Sequence, residues 1–391
     1  MTEYWIWLSR TLGAGAGIGD LIAYFGSARD MYEAGSNEWR LSGLLTKKQV
    51  ENLKKFSPSQ SADIYKICEK NRWHIVTPSS SFYPTLLLEL PDMPAALFVE
   101  GDCNALKSRV NIAFVGTRKA SLYSKKIAYS LSYSISRAGA VIVSGGALGI
   151  DSASHEGALR AGGKTVAVLG CGLGTDYLQE NAALRNEIAK SGALVSEFLP
   201  FAPASKYTFP IRNRIISGMS AGTVVIEAGE RSGSLITANL ALSQGREVFA
   251  VPGDLTSSAY TGTNNLIRDG CIPVFEAKDI VRPFKFVYPE FKLQDEDALL
   301  FEPLTDESEK SEKAPVRDEK TNEAQPVVKR TDVALSQNAK KVYDVFGQTP
   351  LHIDEITEKS ALSSAQVLAA LTELELNGLI ALENGRKYKI I

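Results

Sequence analysis

Apolar and polar positions change their period three times along the 391 residues, and each change marks a different kind of element. From residue 1 to about 70 the apolar positions recur at helical spacing. Leu21, Ile22, Tyr24 and Phe25 follow Gly17-Ile18-Gly19, and Leu44, Leu45, Val50 and Leu53 follow Gly43. This predicts short helices joined by glycine turns, a helical domain over 1–75. Between 105 and 285 short apolar runs take over, near 110–115, 141–144, 165–169, 193–197, 223–227, 247–251 and 272–275, with helical stretches between them. Strands that alternate with helices form a mostly parallel sheet covered on both faces. The expected fold class is therefore α/β, a Rossmann-like doubly wound domain over 76–285.

Residues 286–333 lose the apolar period and gain acids, among them Asp295, Glu296, Asp297, Glu307, Glu309 and Glu312, which reads as an acidic flexible linker. From Leu335 the helical spacing returns through Val342, Val345, Phe346, Ile353, Ile356, Val367, Leu371 and Leu374. A short strand pair across Asn384-Gly385 completes a winged helix over 334–391. Its reading helix, 363–377, carries Glu373 and Glu375 and no Lys or Arg, so a protein-contact or regulatory role is expected of it ahead of DNA reading.

Three glycine-rich turns close predicted strands of the central domain. They are Gly116-Thr117-Arg118, the run Ser144-Gly145-Gly146-Ala147-Leu148-Gly149-Ile150-Asp151, and Gly229 to Ser234, which includes Ser232, Gly233 and Ser234. Small residues there let backbone N–H groups approach an anion at a helix N-terminus. In a doubly wound sheet all three turns fall outside the carboxyl ends of the strands, so sequence order becomes a spatial cluster. Beside them runs Ser205-Lys206-Tyr207-Thr208-Phe209-Pro210-Ile211-Arg212-Asn213-Arg214, in which Pro210 is expected to open a helix. Cations for phosphates next to flat rings on which bases stack suit a single nucleic-acid strand.

These motifs, with Glu230-Arg231-Ser232-Gly233-Ser234-Leu235-Ile236-Thr237-Ala238, Val251-Pro252-Gly253 and Gly262-Thr263-Asn264, resemble the successive motifs of the DNA-processing protein A family (DprA, also called Smf) over residues 80–280. The resemblance implies a single-stranded DNA-binding protein that protects incoming DNA and loads the RecA recombinase in natural transformation. It also implies a homodimer that needs no metal or nucleotide cofactor. The expected DNA-binding residues are Gly116, Thr117, Arg118, Ser144, Gly145, Gly146, Lys206, Phe209, Arg212, Asn213, Arg214, Ser232, Gly233 and Ser234. Arg118, Lys206, Arg212 and Arg214 would neutralise phosphates, backbone N–H groups at Gly116, Ser144, Gly145, Gly233 and Ser234 would cradle one, and Phe209 would stack a base. The glycine turns of the N-terminal domain also resemble a helix-hairpin-helix (SAM-like) element, with Lys47, Lys48, Lys54 and Lys55 to help it, although a small helical cap is the preferred reading.

Charge fits this picture once it is resolved along the chain. The total is −2, but residues 104–285 hold 20 Lys and Arg against 13 Asp and Glu, a net of +7, and residues 286–332 hold 7 against 13, a net of −6. No 18-residue apolar run occurs and residues 1–10 lack the pattern of a secretory signal, so a cytoplasmic protein with no membrane partner is expected. Cys68, Cys103, Cys171 and Cys271 have neither zinc nor disulfide spacing and read as small core residues.

An enzyme is the rival class. The sheet with its glycine turns also resembles the lysine-decarboxylase-like nucleotide phosphoribohydrolases, whose motif ends in a catalytic glutamate. Here Thr237 holds that position and cannot shuttle a proton near neutral pH. Glu227 and Glu230 read as a strand-end carboxylate and a partner of Arg231 or Arg214. His74, His155 and His352 fall in three separate domains, and His155 reads as a polar surface residue at a helix start. No catalytic residue and no metal ligand is expected. Gly170-Cys171-Gly172-Leu173-Gly174 lacks the spacing of a dinucleotide fingerprint.

Overall fold

The computed structural model of the chain describes residues 1–177, 179–293, 335–346, 351–360, 362–377, 379–383 and 387–390. They fall into two compact units divided within the segment 294–334.

The first unit opens with five helices, α1 (Thr2–Leu12), α2 (Ile18–Phe25), α3 (Ala28–Leu41), α4 (Lys47–Lys55) and α5 (Ala62–Asn71). Their caps are local. Ser27 accepts from the Asp30 N–H at 3.0 Å, and Thr46 and Gln49 form a reciprocal capping box. The apolar faces of α1 to α4 bury Trp7, Leu8, Leu21, Met31 and Leu53 in one continuous core with Leu87, Val99, Val143 and Ile216 from the region beyond. The boundary expected at residue 75 is thus no gap between two cores. The helices are a cap on the sheet. The Gly17-Ile18-Gly19 turn serves that docking: the Gly19 N–H donates to the Pro91 carbonyl at 2.8 Å, and a Cβ on Gly19 would lie 2.7 Å from the Leu90 carbonyl oxygen. A turn closed against backbone in this way does not present the Gly19 N–H to a phosphate.

The sheet follows, with β1 (His74–Val76), β2 (Leu97–Gly101), β3 (Asn111–Val115), β4 (Val141–Ser144), β5 (Thr165–Val168), β6 (Ala193–Ser196), β7 (Gly222–Val225), β8 (Glu247–Ala250) and β9 (Ile272–Pro273). The intervening helices are α6 (Leu122–Arg137), α7 (Ile150–Arg160), α8 (Ala182–Ser191), α9 (Thr208–Gly218), α10 (Gly233–Ser243), α11 (Thr261–Arg268) and α12 (Ala277–Val281). The spatial order is β1-β2-β6-β5-β4-β3-β7-β8-β9. All seven strands expected from the sequence are present and mutually parallel, and β1 and β2 add an antiparallel edge. From β3 the chain winds outward through β4, β5 and β6, then returns to the other side of β3 for β7, β8 and β9. The switch point lies between β3 and β7, where an open α/β sheet leaves a crevice beyond the strand ends.

The sheet domain does not stop at residue 285. Phe284, Tyr288 and Phe291 form a ring cluster with centroid spacings of 6.1 Å, and Phe291 is buried with Phe249 in the core on that face. These three aromatics carry the packed chain into the stretch expected to be linker. The remainder of that linker, 294–333, lies outside the described residues.

The second unit contains α13 (Gln337–Val345), β10 (Leu351–His352), α14 (Ile353–Ser360), α15 (Ser364–Leu376), β11 (Ile380–Glu383) and β12 (Lys387–Ile390), with sheet order β10-β12-β11. Three helices and a three-stranded sheet around Val342, Ile356, Val367 and Leu371 make the expected winged helix. The Asn384-Gly385 turn lies outside the described residues. Glu373 is tied locally, accepting from the N–H and the hydroxyl of Ser336 at 2.7 and 2.6 Å.

Candidate functional site

Beyond the carboxyl ends of β3, β4 and β7, at the switch point, a cleft of about 350 Å³ opens. Its walls are the turns that close those strands and the first turns of α9 and α10. Nine of the expected residues stand at it: Gly116, Thr117, Arg118, Phe209, Arg212, Asn213, Ser232, Gly233 and Ser234.

Arg118 is exposed at the rim, has no ion pair among the described residues, and lies over Phe209 with its guanidinium carbon 4.9 Å from the ring centroid. Phe209 is half-buried. Tyr177 packs on it at 5.6 Å, and a Cβ on Gly170 would lie 2.7 Å from its ring. The ring therefore supports a cation as well as offering a surface, a pairing worth roughly 0.5–2 kcal/mol.

Arg212 is 4% exposed and forms the cleft floor, donating from Nη1 to the Val168 carbonyl at 2.6 Å. Burial pulls its pKa down from the usual guanidinium range while the neighbouring Asp151 pulls it up. A guanidinium keeps its proton throughout the working range. Asp151, in the first turn of α7, accepts from the Gly145 and Ala147 N–H groups at 3.2 and 3.3 Å. Burial raises its carboxyl above the ordinary aspartate range. The ionisable groups lining the cleft are thus Arg118 and Arg212 against Asp151, a formal net of +1 with the carboxylate charged.

At the opposite wall Ser232 caps α10, and its hydroxyl lies 2.8 Å from the Ser234 hydroxyl. Gly233 leaves open space where a side chain would stand. The Ser234 N–H already donates to the Ser232 hydroxyl at 3.4 Å, so the Gly233 N–H and the positive dipole end of an eleven-residue helix are what suit an anion there.

Several expected roles change. Arg214 turns away from the cleft and pairs with buried Glu197, which also accepts from the Gly15 N–H of the cap at 3.3 Å; Arg214 further donates to the Asp92 carbonyl at 2.6 Å and lies 3.6 Å from the Asp92 carboxylate. Arg212 and Arg214 are two residues apart on α9, about 200° around the helix, and do not share a face. The Gly145 N–H does not await a phosphate, because Asp151 already occupies that anion position. The Ser144 hydroxyl points into the sheet and donates to the Phe114 carbonyl at 2.6 Å. The Gly146 carbonyl accepts from Asn181 at 3.1 Å. Lys206 sits outside the cleft on the exposed loop before α9, over Tyr207 at 5.1 Å. Pro210 is the third residue of α9, in the first turn, where its missing N–H has no intrahelical partner to lose.

Of the groups considered for catalysis, Glu227 and His155 have structural partners. Glu227 accepts from the N–H and hydroxyl of Ser121, both at 3.0 Å, as a strand-end carboxylate, whereas exposed Glu230 pairs with neither Arg231 nor Arg214 among the described residues. Thr237 is buried at the cleft wall. His155 is fully buried rather than a surface residue. The Thr165 hydroxyl donates to the Ile142 carbonyl at 2.7 Å, so it must accept from His155 Nδ1–H, also at 2.7 Å, which leaves Nε2 bare and unpartnered. Burial drives the His155 pKa down to about 3.

Sequence reasoning missed the part played by Asp151. An acid in the first turn after a glycine-rich loop is a signal for such a back-bond. Cys68, Cys103 and Cys171 are buried and Cys271 half-buried, all as free thiols. Among the described residues no cluster of His, Cys, Asp and Glu is arranged to hold a metal ion, and no helix is long and apolar enough to cross a membrane.

Comparison with known proteins gives independent findings. Residues 74–285 match the model of the family described as DNA recombination-mediator protein A, and residues 326–386 match the DprA winged helix domain. Protein Smf of Escherichia coli (strain K12) is 44% identical over 219 residues, covering 56% of this chain and 58% of that one. Among solved structures, DNA processing protein A from Streptococcus pneumoniae superposes with a TM-score of 0.64 at 32% identity, over 75% of this chain and 99% of that one. The protein from Helicobacter pylori, described for its single-stranded DNA binding mode, gives 0.51 at 30% identity over 56% of this chain and 97% of that one.

Proposed function

Because the chain belongs to the DNA recombination-mediator protein A family, we propose that the cleft between β3 and β7 holds single-stranded DNA, and that the protein's work is binding rather than catalysis. The observation that carries this reading is the unpaired Arg118 held on the Phe209 ring at the rim of a cleft whose far wall is the N-terminus of α10. A phosphate fits between Arg118 and the Gly233 N–H at the N-terminus of α10, with Arg212 beneath it. The adjacent base lies against the apolar edge of Phe209. Such contacts carry no base code, so sequence preference is weak. Thr237 in place of a proton-shuttling glutamate, and Glu227 engaged by Ser121, support binding over hydrolysis. Family membership supports a homodimer that protects incoming strands and passes them to the RecA recombinase in transformation.

The test is electrophoretic binding of the purified protein to a single strand and to a blunt duplex of equal length, with base release from nucleotides assayed in parallel. Preferential retention of the single strand without base release is expected. Equal binding of the two forms at moderate salt contradicts the reading.

A further inference from the structure

A second cavity, of about 680 Å³, lies between α6 and α7 and shares Arg118 with the cleft. Its α6 wall is Leu122, Lys125, Lys126 and Tyr129, a spacing of three and four that sets these side chains along one helical face. Lys125 and Lys126 are exposed and have no ion pair among the described residues. Glu156 on α7 is the one acid that lines this cavity, against three cations when Arg118 is counted. Two apolar side chains at its mouth are left in water, Leu122 at 80% exposure and Leu148 at 39%.

Cations with no ion pair among the described residues beside exposed apolar groups, in a groove that shares Arg118 with the cleft, match the chemistry of a phosphodiester chain with unpaired bases. We propose that this groove is a second subsite for the same strand. It receives the nucleotides next to the one in the cleft, with Lys125 and Lys126 at the phosphates and Leu122, Tyr129 and Leu148 against the bases. Arg118 is the hinge between the two subsites. This inference rests on the cleft being the seat of the strand.

The test measures fluorescence anisotropy of the full chain with a labelled thymidine dinucleotide, short enough for the cleft alone, and with a labelled oligothymidylate of about 20 nucleotides. The variants are Lys125→Ala with Lys126→Ala, and separately Leu122→Ala. The double variant is expected to bind the short strand as the unaltered protein does. On the long strand it loses about five- to tenfold in affinity, with a salt slope lower by about 1.4, or 0.7 for each phosphate contact. Leu122→Ala, at a position too exposed to matter for folding, is expected to lose about threefold on the long strand with the slope unchanged. Unchanged long-strand affinity in the double variant overturns the second subsite, whether or not its oligomeric state shifts. Equal losses on short and long strands also overturn it, since the lysines would then act on the cleft as a general field. If the unaltered protein binds neither strand, the cleft reading itself fails, an outcome distinct from both.

Discussion

The Arg118 guanidinium lies 4.9 Å from the centroid of the Phe209 ring, so a rim cation with no ion pair among the described residues is held by the aromatic side chain that sequence reasoning assigned to base stacking. The two residues act on a strand together. Phe209→Ala removes a stacking surface and also releases Arg118 from its position. A double-mutant cycle of Arg118→Ala and Phe209→Ala on single-strand affinity is expected to show a coupling of about 0.5–2 kcal/mol. Additivity within about 0.3 kcal/mol would mean that the ring and the cation act independently.

Arg214 is expected to affect stability and leave binding alone. Arg214→Ala strands Glu197 in the interface between cap and sheet, where removing one partner of a buried ion pair costs about 3–5 kcal/mol. Replacing both residues, Arg214→Met with Glu197→Leu, should recover much of that loss in urea denaturation. Single-strand affinity of the folded variant should stay within about twofold, under roughly 0.4 kcal/mol. A selective loss of binding with unchanged stability would place Arg214 on the DNA.

The contrast between Arg212 and Arg214 shows where the chain was legible. The parallel strands stood out because five of the seven are short, fully buried runs such as Val141–Ser144, and only β8 and β9 on one side are partly exposed. The cleft followed from topology, since every glycine turn had to fall at the strand ends. What stayed hidden was the partner of each charge. Two arginines two residues apart read alike in a sequence, yet a helix sends them to opposite sides, and the helical period alone could have separated them. Nothing local marks Glu197 as the partner of Arg214 or Gly15 as the donor to Glu197, because those contacts join distant segments. The edge strands β1 and β2 escaped for a related reason: His74-Ile75-Val76 is only three residues long and is recognisable as a strand only beside Leu97-Phe98-Val99.

His155 gives the fold a pH dependence whose sign is fixed. Its pKa when folded is depressed to about 3, whereas the unfolded chain takes up that proton near 6.5. Its contribution is complete above about pH 6.5 and falls by roughly 1.4 kcal/mol per pH unit between there and the folded value. Going from pH 7 to pH 5, the unaltered protein should lose about 2 kcal/mol more stability than His155→Leu, in which Asp151 and Glu197 still titrate and cancel in the comparison. Equal losses in the two proteins would mean that His155 takes a proton in the folded state.

For the winged helix the expected role is contact with a partner. Glu373 of α15 holds the N-terminus of α13, and Glu375 also lies on α15, which has no Lys or Arg to set against them. Deleting residues 334–391 is expected to leave single-strand affinity within about threefold, under roughly 0.7 kcal/mol. A folded truncation that binds more than tenfold worse would put this domain on the strand.

The central claim is that one phosphate of a single strand is neutralised at Arg118, and the salt dependence of binding tests it most directly. For Arg118→Ala, the slope of log affinity against log salt on a single strand should fall by about 0.7, with a uniform loss of affinity across sequences. Binding to a blunt duplex, weak in both proteins, should barely change. A variant that keeps the full slope, or that loses duplex and single-strand binding in equal measure, would contradict the assignment of the cleft.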